Sequence, residues 1–227
     1  MIGTPHVHHR TADSTNQRAR ELAAAGAPHG TLVTAGEQTA GRGRQGRSWV
    51  APAGSAVLMS LVLRELDERF PLVPLVAAVA VADACEALAP VRCQIKWPND
   101  VWIERRKVAG ILVEGRPAEG WAVLGIGLNV EPVSFPAELS SIATSLSLEG
   151  GVPLALGAVL DALSGWLVRE VDEVLAAWRE RDALRGAPVR WAEGSGVAAG
   201  IDDSGSLLVD TEAGQVALGA GEVHLQR

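Results

Sequence analysis

Short apolar runs alternate with turn residues along most of the chain, and their spacing predicts an α+β fold. Asp13-Ser14-Thr15-Asn16 precedes an alanine-rich stretch over residues 17–25 that stops at Gly26. A polar cap, a good interior and a terminal glycine predict a helix there. Residues 31–35 are β-branched and read as a strand; residues 55–63 alternate poorly and read as a buried one. Residues 75–88 are small and apolar on most faces, which predicts a core helix. The longest apolar stretch, residues 71–82, is too short to span a bilayer. Four short strands are expected next, at 93–97, 101–104, 107–114 and 121–130, with tight turns at Asn99-Asp100 and Arg105-Arg106. Residues 131–152 lack periodicity and predict a long loop, which is usually functional or mobile. Over 154–185, Leu156, Leu160, Leu163, Leu167 and Val171 fall near one face and predict one long amphipathic helix.

The pattern changes at Gly186-Ala187-Pro188. Five short strands are expected from there, at 189–191, 196–201, 207–210, 215–218 and 222–225, separated by Gly and Asp turns. Regular short strands of this kind suggest a small β-barrel. The expected organisation is a larger α+β domain over 1–185 and a C-terminal barrel over 186–227. So small a barrel buries too little surface to stand alone and should lean on its neighbour.

Composition narrows the function classes. A length of 227 residues suits one large domain with a satellite, and 48% hydrophobic residues supply a core. The net charge of −7 argues against a general nucleic-acid binder, whose footprint is basic. Cys85 and Cys93 show no metal spacing and read as buried thiols in a reducing compartment. The first six residues lack a charged n-region and an apolar h-region, so a cytoplasmic, membrane-free protein is expected.

Against that acidic background, Gly41-Arg42-Gly43-Arg44-Gln45-Gly46-Arg47-Ser48-Trp49 gathers three arginines and three glycines. Glycine lets the main chain approach a ligand closely, and arginine offers a charged fork to carboxylate or phosphate. The run fits a lid over an anion. It also matches the dinucleotide fingerprint G-x-G-x-x-G, but the following Arg47-Ser48-Trp49-Val50-Ala51-Pro52 cannot start the helix that fingerprint requires. Lys96-Trp97-Pro98-Asn99-Asp100 puts a lysine and a carboxylate around a turn where a strand ends. In Lys107-Val108-Ala109-Gly110, a lysine opens an apolar strand that a glycine interrupts, as at a bulge or a close approach. Gly125-Ile126-Gly127-Leu128-Asn129 places two glycines on one strand face, which opens a slot there. His8-His9 has no evident third metal ligand and reads as a strand-end pair.

Together these runs resemble the biotin protein ligases of the group without an N-terminal DNA-binding domain. The resemblance covers about residues 10–130 and rests on Asp13 to Asn16, Gln38, the 41–49 loop, Lys96 to Asp100, Lys107 to Gly110 and Gly125 to Asn129. It implies a class II synthetase-like catalytic domain with an SH3-like barrel. The implied reaction has two steps: biotin and MgATP give biotinyl-5′-AMP and pyrophosphate, and a lysine on a carboxylase's biotin carboxyl carrier domain then takes the biotinyl group. The site carried over is Ser14, Thr15, Asn16, Gln38, Gly41, Arg42, Gly43, Arg44, Lys107, Gly110, Gly125 and Gly127 for biotin. Arg44, Arg47, Trp49, Lys107 and Asn129 would serve the adenylate. Lys107, Asp100 and Arg44 would take part in the chemistry, with Lys107 bridging carboxylate and α-phosphate and Asp100 meeting the incoming amine. The 131–144 segment would order over the adenosine, and Mg²⁺ would arrive with ATP rather than in a protein cage. A lipoate or octanoate ligase of the same architecture is the alternative, but it needs an apolar tunnel and no urea-binding set. A DNA-binding repressor would need a helix-turn-helix ahead of Thr11. A homodimer through residues 107–130 stays open.

Overall fold

The computed structural model describes residues 1–64, 66–131, 135, 139–150, 156–219 and 221–226. Seven strands form one mixed sheet: β1 (His6–His9), β2 (Leu32–Ala35), β3 (Ala56–Arg64), β4 (Cys93–Lys96), β5 (Asp100–Ile103), β6 (Arg106–Arg116) and β7 (Trp121–Asn129). Their order is β1-β2-β3-β7-β6-β5-β4. Only β1 and β2 run parallel; the other neighbours are antiparallel.

Helices cover both faces. Helix α1 (Thr15–Ala24) buries Ala19 and Ala23 against Val33, Val62, Trp121 and Val123. Since side chains alternate along a strand, Val62 and Val123 share their face with Ser60 and Gly125, two residues on. The far end of the α1-covered face is thus left for the site. Helix α2 (Val73–Leu88) packs on the opposite face with Met59, Leu61, Leu124, Ile126 and Leu128. The helical run Phe70–Leu88 is longer than the apolar stretch expected, and by length and composition alone it could cross a membrane. Here most of α2 is buried in the core.

The single long helix expected over 154–185 is instead two, α3 (Leu156–Trp166) and α4 (Val171–Arg179); residues 151–155 lie outside the described residues. Two tethers explain the break. Trp166 Nε1 donates to Asp83 of α2 at 2.7 Å, and Arg181 donates to the same carboxylate at 2.7 Å and to Glu86 at 2.8 Å. In one continuous helix, positions 166 and 181 would stand about 22 Å apart. The chain must fold back, and Glu170 does so with extended backbone (ψ 148°).

The last five strands, β8 (Pro188–Trp191), β9 (Gly194–Ile201), β10 (Leu207–Thr211), β11 (Gly214–Leu218) and β12 (His224–Leu225), form an antiparallel sheet ordered β11-β10-β9-β8-β12. Its inner side chains Val189, Ala198, Ile201, Leu207, Val209 and Val223 join the core that contains α2. The overall class is α+β. Cys85 and Cys93 are buried and free.

Candidate active site

The site floor is the part of the sheet face that α1 leaves open. On β7, Gly125 and Gly127 point to this face, paired with Leu112 and Gly110 of β6. Lys107 joins them through a β-bulge. Trp102 pairs with Lys107 but Val101 pairs with Ala109, so Val108 is the extra residue and strand parity shifts there. The sequence suggested a bulge at Gly110; the irregularity lies two residues earlier. Its effect is to aim Lys107 to the same side as Gly110 and Asp100, which pair across β5 and β6. Lys107 Nζ donates to Asp100 Oδ1 at 2.7 Å, with both side chains partly buried.

The N-terminus of α1 enters from one side. Ser14, Thr15 and Asn16 are all buried there. The expected side-chain cap is absent, although Ser14 occupies the cap position. Asp13 instead accepts the Ser14 N–H at 2.7 Å and pairs with Arg18 at 2.6 Å, which holds its carboxyl at about 2. Gln38 Oε1 accepts the Thr15 N–H at 2.7 Å. That bond fixes the amide's orientation, since the main-chain donor needs an oxygen.

Residues 41–49 cross the opening. They contain a single 3₁₀ turn at Arg44–Gly46, with Gln45 at φ 55°, and the next element is the strand β3 rather than a helix, so the loop has no dinucleotide-binding geometry. Gly41 permits a close crossing: a β-carbon there would lie 2.3 Å from the Trp49 carbonyl. Arg42 faces Glu114 at 3.8 Å. Arg44 donates to Asn99 Oδ1 and to the Gly221 carbonyl, and burial pushes its pKa down from the usual value. Arg47 pairs with Glu222 at 2.6 Å. The Trp49 ring lies over the two glycines; a β-carbon on Gly127 would meet it at 2.5 Å and one on Gly110 at 3.1 Å. Lys107 Nζ stands 5.6 Å from the centre of the same ring.

The glycines therefore make room for more than a ligand. Gly127 and Gly110 clear the Trp49 indole, and Gly125 clears Asn16, whose Oδ1 would sit 2.0 Å from an added β-carbon. Behind Lys107 runs a segment that completes the wall. Lys107 N–H donates to the Ile142 carbonyl and Thr144 N–H to the Lys107 carbonyl, while Asn129 Nδ2 reaches the Thr144 carbonyl at 3.0 Å. Leu139, Ile142 and Ala143 line the cleft; residues 132–134 and 136–138 of the expected 131–144 loop lie outside the described residues.

The result is a cleft of about 260 Å³. It brings together Ser14, Thr15, Asn16, Gln38, Arg42, Gly43, Arg44, Arg47, Trp49, Lys107, Gly110, Gly125, Gly127 and Asn129 of the expected set. Asp100 reaches it through Lys107, and Gly41 lines the cavity on the loop's other side. Lys96 does not join them: it stacks over Trp102 at 5.6 Å, and burial lowers its pKa. His6 and His8 both bond Thr34. Sequence reasoning missed Ser60, Glu114 and Glu222. Ser60 alone carried a signal, as a hydroxyl inside an apolar strand; the other two are ordinary charges until the fold places them.

Comparison with known proteins follows the same lines. The chain matches the biotin/lipoate A/B protein ligase family over residues 7–131 and the biotin protein ligase C-terminal domain over 193–225. It is 35% identical to the bifunctional ligase/repressor BirA of Bacillus subtilis, over 99% of this chain and 75% of that protein. It is 35% identical to the biotin--[acetyl-CoA-carboxylase] ligase of Mycobacterium tuberculosis, over 94% of this chain and 86% of that one. Among solved structures, the Aquifex aeolicus biotin protein ligase in complex with biotin and ATP superposes with a TM-score of 0.85 at 29% identity, covering 99% of both chains. The chain belongs to the biotin/lipoate A/B protein ligase family.

Proposed function

We propose that this protein is a biotin protein ligase that forms biotinyl-5′-AMP from biotin and ATP and passes the biotinyl group to a lysine of a biotin carboxyl carrier domain. The observation that carries the reading is the Lys107–Asp100 pair at 2.7 Å, on a floor flanked by buried hydrogen-bonding groups on one side and by Arg44 and Arg47 on the other. The named ligases among the relatives support it.

In the first step both reactants are anions. A biotin carboxylate oxygen attacks the α-phosphorus, and pyrophosphate leaves. Lys107 lies between the two reacting groups and offsets the charge they bring together; preorganised charge of this kind is usually the largest catalytic contribution. Arg44 and Arg47 receive the phosphates, and Arg42, partly through its own main-chain N–H, receives the carboxylate. Trp49 and Asn129 serve the adenosine. Ser14, Thr15 and Gln38 take the urea ring, with Asn16 behind Thr15 and with Gly110, Gly125 and Gly127 keeping its approach open. Mg²⁺ comes with the phosphates of ATP. Among the described residues no group of three His, Cys, Asp or Glu side chains stands ready to hold a cation.

In the second step an ammonium must lose its proton before attacking the anhydride carbonyl, because free lysine titrates near 10.4. Asp100, already holding one ammonium, positions the second and accepts that proton; AMP leaves. The 41–49 loop and the 139–147 segment exclude water from the hydrolysable anhydride. Residues 1–185 form the catalytic domain in this reading and 186–227 the barrel.

The test incubates the purified protein with biotin, MgATP and an isolated biotin carrier domain, and weighs the acceptor by mass spectrometry. One added biotinyl group is expected, and none with Lys107→Ala. A gain from octanoate or lipoate on their own carrier, with none from biotin, would overturn the substrate. Binding of biotin with no transfer to any carrier would overturn the mechanism.

A further inference from the structure

Beneath Thr15 runs a polar chain, buried at Asn16 and Ser60, that ends on the partly buried Glu114. Asn16 Nδ2 donates to Glu114 Oε2 at 2.9 Å and to the Leu112 carbonyl at 3.3 Å. Both partners are acceptors only, so they fix which end of the Asn16 amide is nitrogen. The carboxylate is itself held in place, with Glu114 Oε1 facing Arg20 at 3.3 Å and Arg42 at 3.8 Å. Asn16 Oδ1 then faces Ser60 Oγ at 2.7 Å, and Ser60 Oγ faces Thr15 Oγ1 at 2.8 Å. Thr15 Oγ1 lies farther, at 3.1 Å, from Gln38 Oε1, which the Thr15 N–H already occupies at 2.7 Å.

Ser60 has one hydrogen and two close oxygen neighbours. The Asn16 oxygen carries no hydrogen, so a contact of 2.7 Å there requires the Ser60 proton. The 2.8 Å contact must then be closed by the Thr15 hydroxyl, which donates back to Ser60. In this arrangement the contact left without a proton is the longer one, Thr15 Oγ1 to Gln38 Oε1 at 3.1 Å. In the reverse one, two oxygens would face each other at 2.7 Å with none between them. Ser60 is fully buried, so no solvent supplies an alternative partner. The direction runs from Thr15 to Ser60 to Asn16, with Glu114 fixing the last of them.

We propose that Glu114, Asn16 and Ser60 form a hydrogen-bond relay that leaves Thr15 Oγ1 as an acceptor toward the cleft, while Gln38 presents its NH₂ as a donor. An acceptor beside a donor is complementary to the N–H and C=O edge of a cyclic urea. The relay makes Ser60 and Glu114 positioning residues for ligand choice, acting through Thr15. This rests on the biotin ligase reading, and the relay adds that ring N–H is required at the Thr15 side. A buried group that meets an unmatched partner loses on the order of a hundredfold in binding.

The test measures kcat/KM for pyrophosphate release with biotin and with the two cyclic carbamate analogues in which oxygen replaces one ring N–H. The wild type is expected to reject one regioisomer by roughly a hundredfold. Ser60→Ala frees the Thr15 hydrogen to meet the ring oxygen and should bring that ratio within about tenfold. Glu114→Met removes the closer of the two acceptors that fix the Asn16 amide, leaving the Leu112 carbonyl at 3.3 Å, and should lower the ratio by roughly fivefold; it decides the matter if Ser60→Ala fails to fold. Equal losses for biotin and carbamate in both variants, with the ratio unchanged, would mean a merely structural role and overturn the relay. A wild type that activates biotin and both carbamates alike would overturn the relay and leave the ligase standing. A wild type that does not activate biotin at all would overturn the ligase reading itself.

Discussion

Lys107 and Asp100 share one ion pair, yet the two proposed steps need them differently, and that separates their variants. Lys107→Ala removes positive charge from the meeting of two anions, and a loss of at least about a hundredfold is expected in biotin-dependent pyrophosphate exchange. Asp100→Asn should keep exchange within about tenfold but slow transfer from preformed biotinyl-5′-AMP to the carrier by a general-base factor of roughly a hundredfold or more. Equal losses in both assays would contradict the division of labour. Gly127→Ala tests the floor. The added carbon would stand 2.5 Å from the Trp49 ring, and since Trp49 rides on a loop, the indole should yield rather than the sheet. The KM for ATP should rise about tenfold, the order of a lost aromatic contact, with little change in Tm. The glycines were legible in the sequence because a slot requires their spacing on one strand face. Their immediate occupants were not: nothing in Gly125-Ile126-Gly127 says that Asn16 and Trp49 fill the space. Lys107's orientation was hidden for a similar reason, because the bulge at Val108 shows only once β5 and β6 are paired.

Among the elements, α1 joins fold and site most directly, since its buried first turn lines the cleft. Its start is secured by Asp13 rather than by the Ser14 side chain, and this makes a pH signature. Arg18 holds the Asp13 carboxyl at about 2, below the ordinary value near 3.9. The unfolded chain therefore takes up this proton first as pH falls. The stabilisation is complete above about pH 4, declines through the window down to about 2, and is gone below it. The pair is well exposed, so it contributes at most about 1 kcal/mol. Thermal melts of Asp13→Asn and wild type should differ slightly at pH 6 and coincide at pH 2; a gap that persists at pH 2 would assign the effect to packing. Most elements were readable from local pattern: β2 and β3 as short apolar runs, α2 as a longer run of small apolar residues, and the barrel strands by their regular spacing. The α3–α4 break was not, because the apolar repeat from Leu156 to Val171 is continuous. What interrupts it is the demand that Trp166 and Arg181 both reach Asp83, a long-range condition that local pattern does not record.

At the scale of the whole molecule, the C-terminal sheet is fastened to the site as well as to the core. Trp97 Nε1 donates to the Gly205 carbonyl at 3.0 Å, and a β-carbon on Gly205 would lie 2.8 Å from both Leu72 and Leu75. The barrel's inner residues share one core with α2. Calorimetry should therefore show one cooperative transition, and removal of residues 186–227 should yield aggregated protein through the exposed faces of Leu72, Leu75 and Trp97. Two resolved transitions would show that the barrel folds apart. The same segment controls the loop arginines. Arg44 donates to the Gly221 carbonyl and Arg47 pairs with Glu222, so both cations are held by two consecutive residues outside the site itself. Charge aimed in advance stabilises a transition state without reorganisation at the moment of reaction, and loosening these anchors should cost the nucleotide more than biotin. Glu222→Gln keeps the shape and removes the charge. It should raise the KM for ATP about tenfold, the value of one charge-assisted contact, while biotin binding measured without nucleotide stays within about twofold, since neither arginine is needed to hold the urea ring. Equal weakening of both ligands would place Glu222 in the fold of the loop as a whole. An unchanged KM for ATP would mean that Arg47 orders itself on the phosphates without help from the barrel.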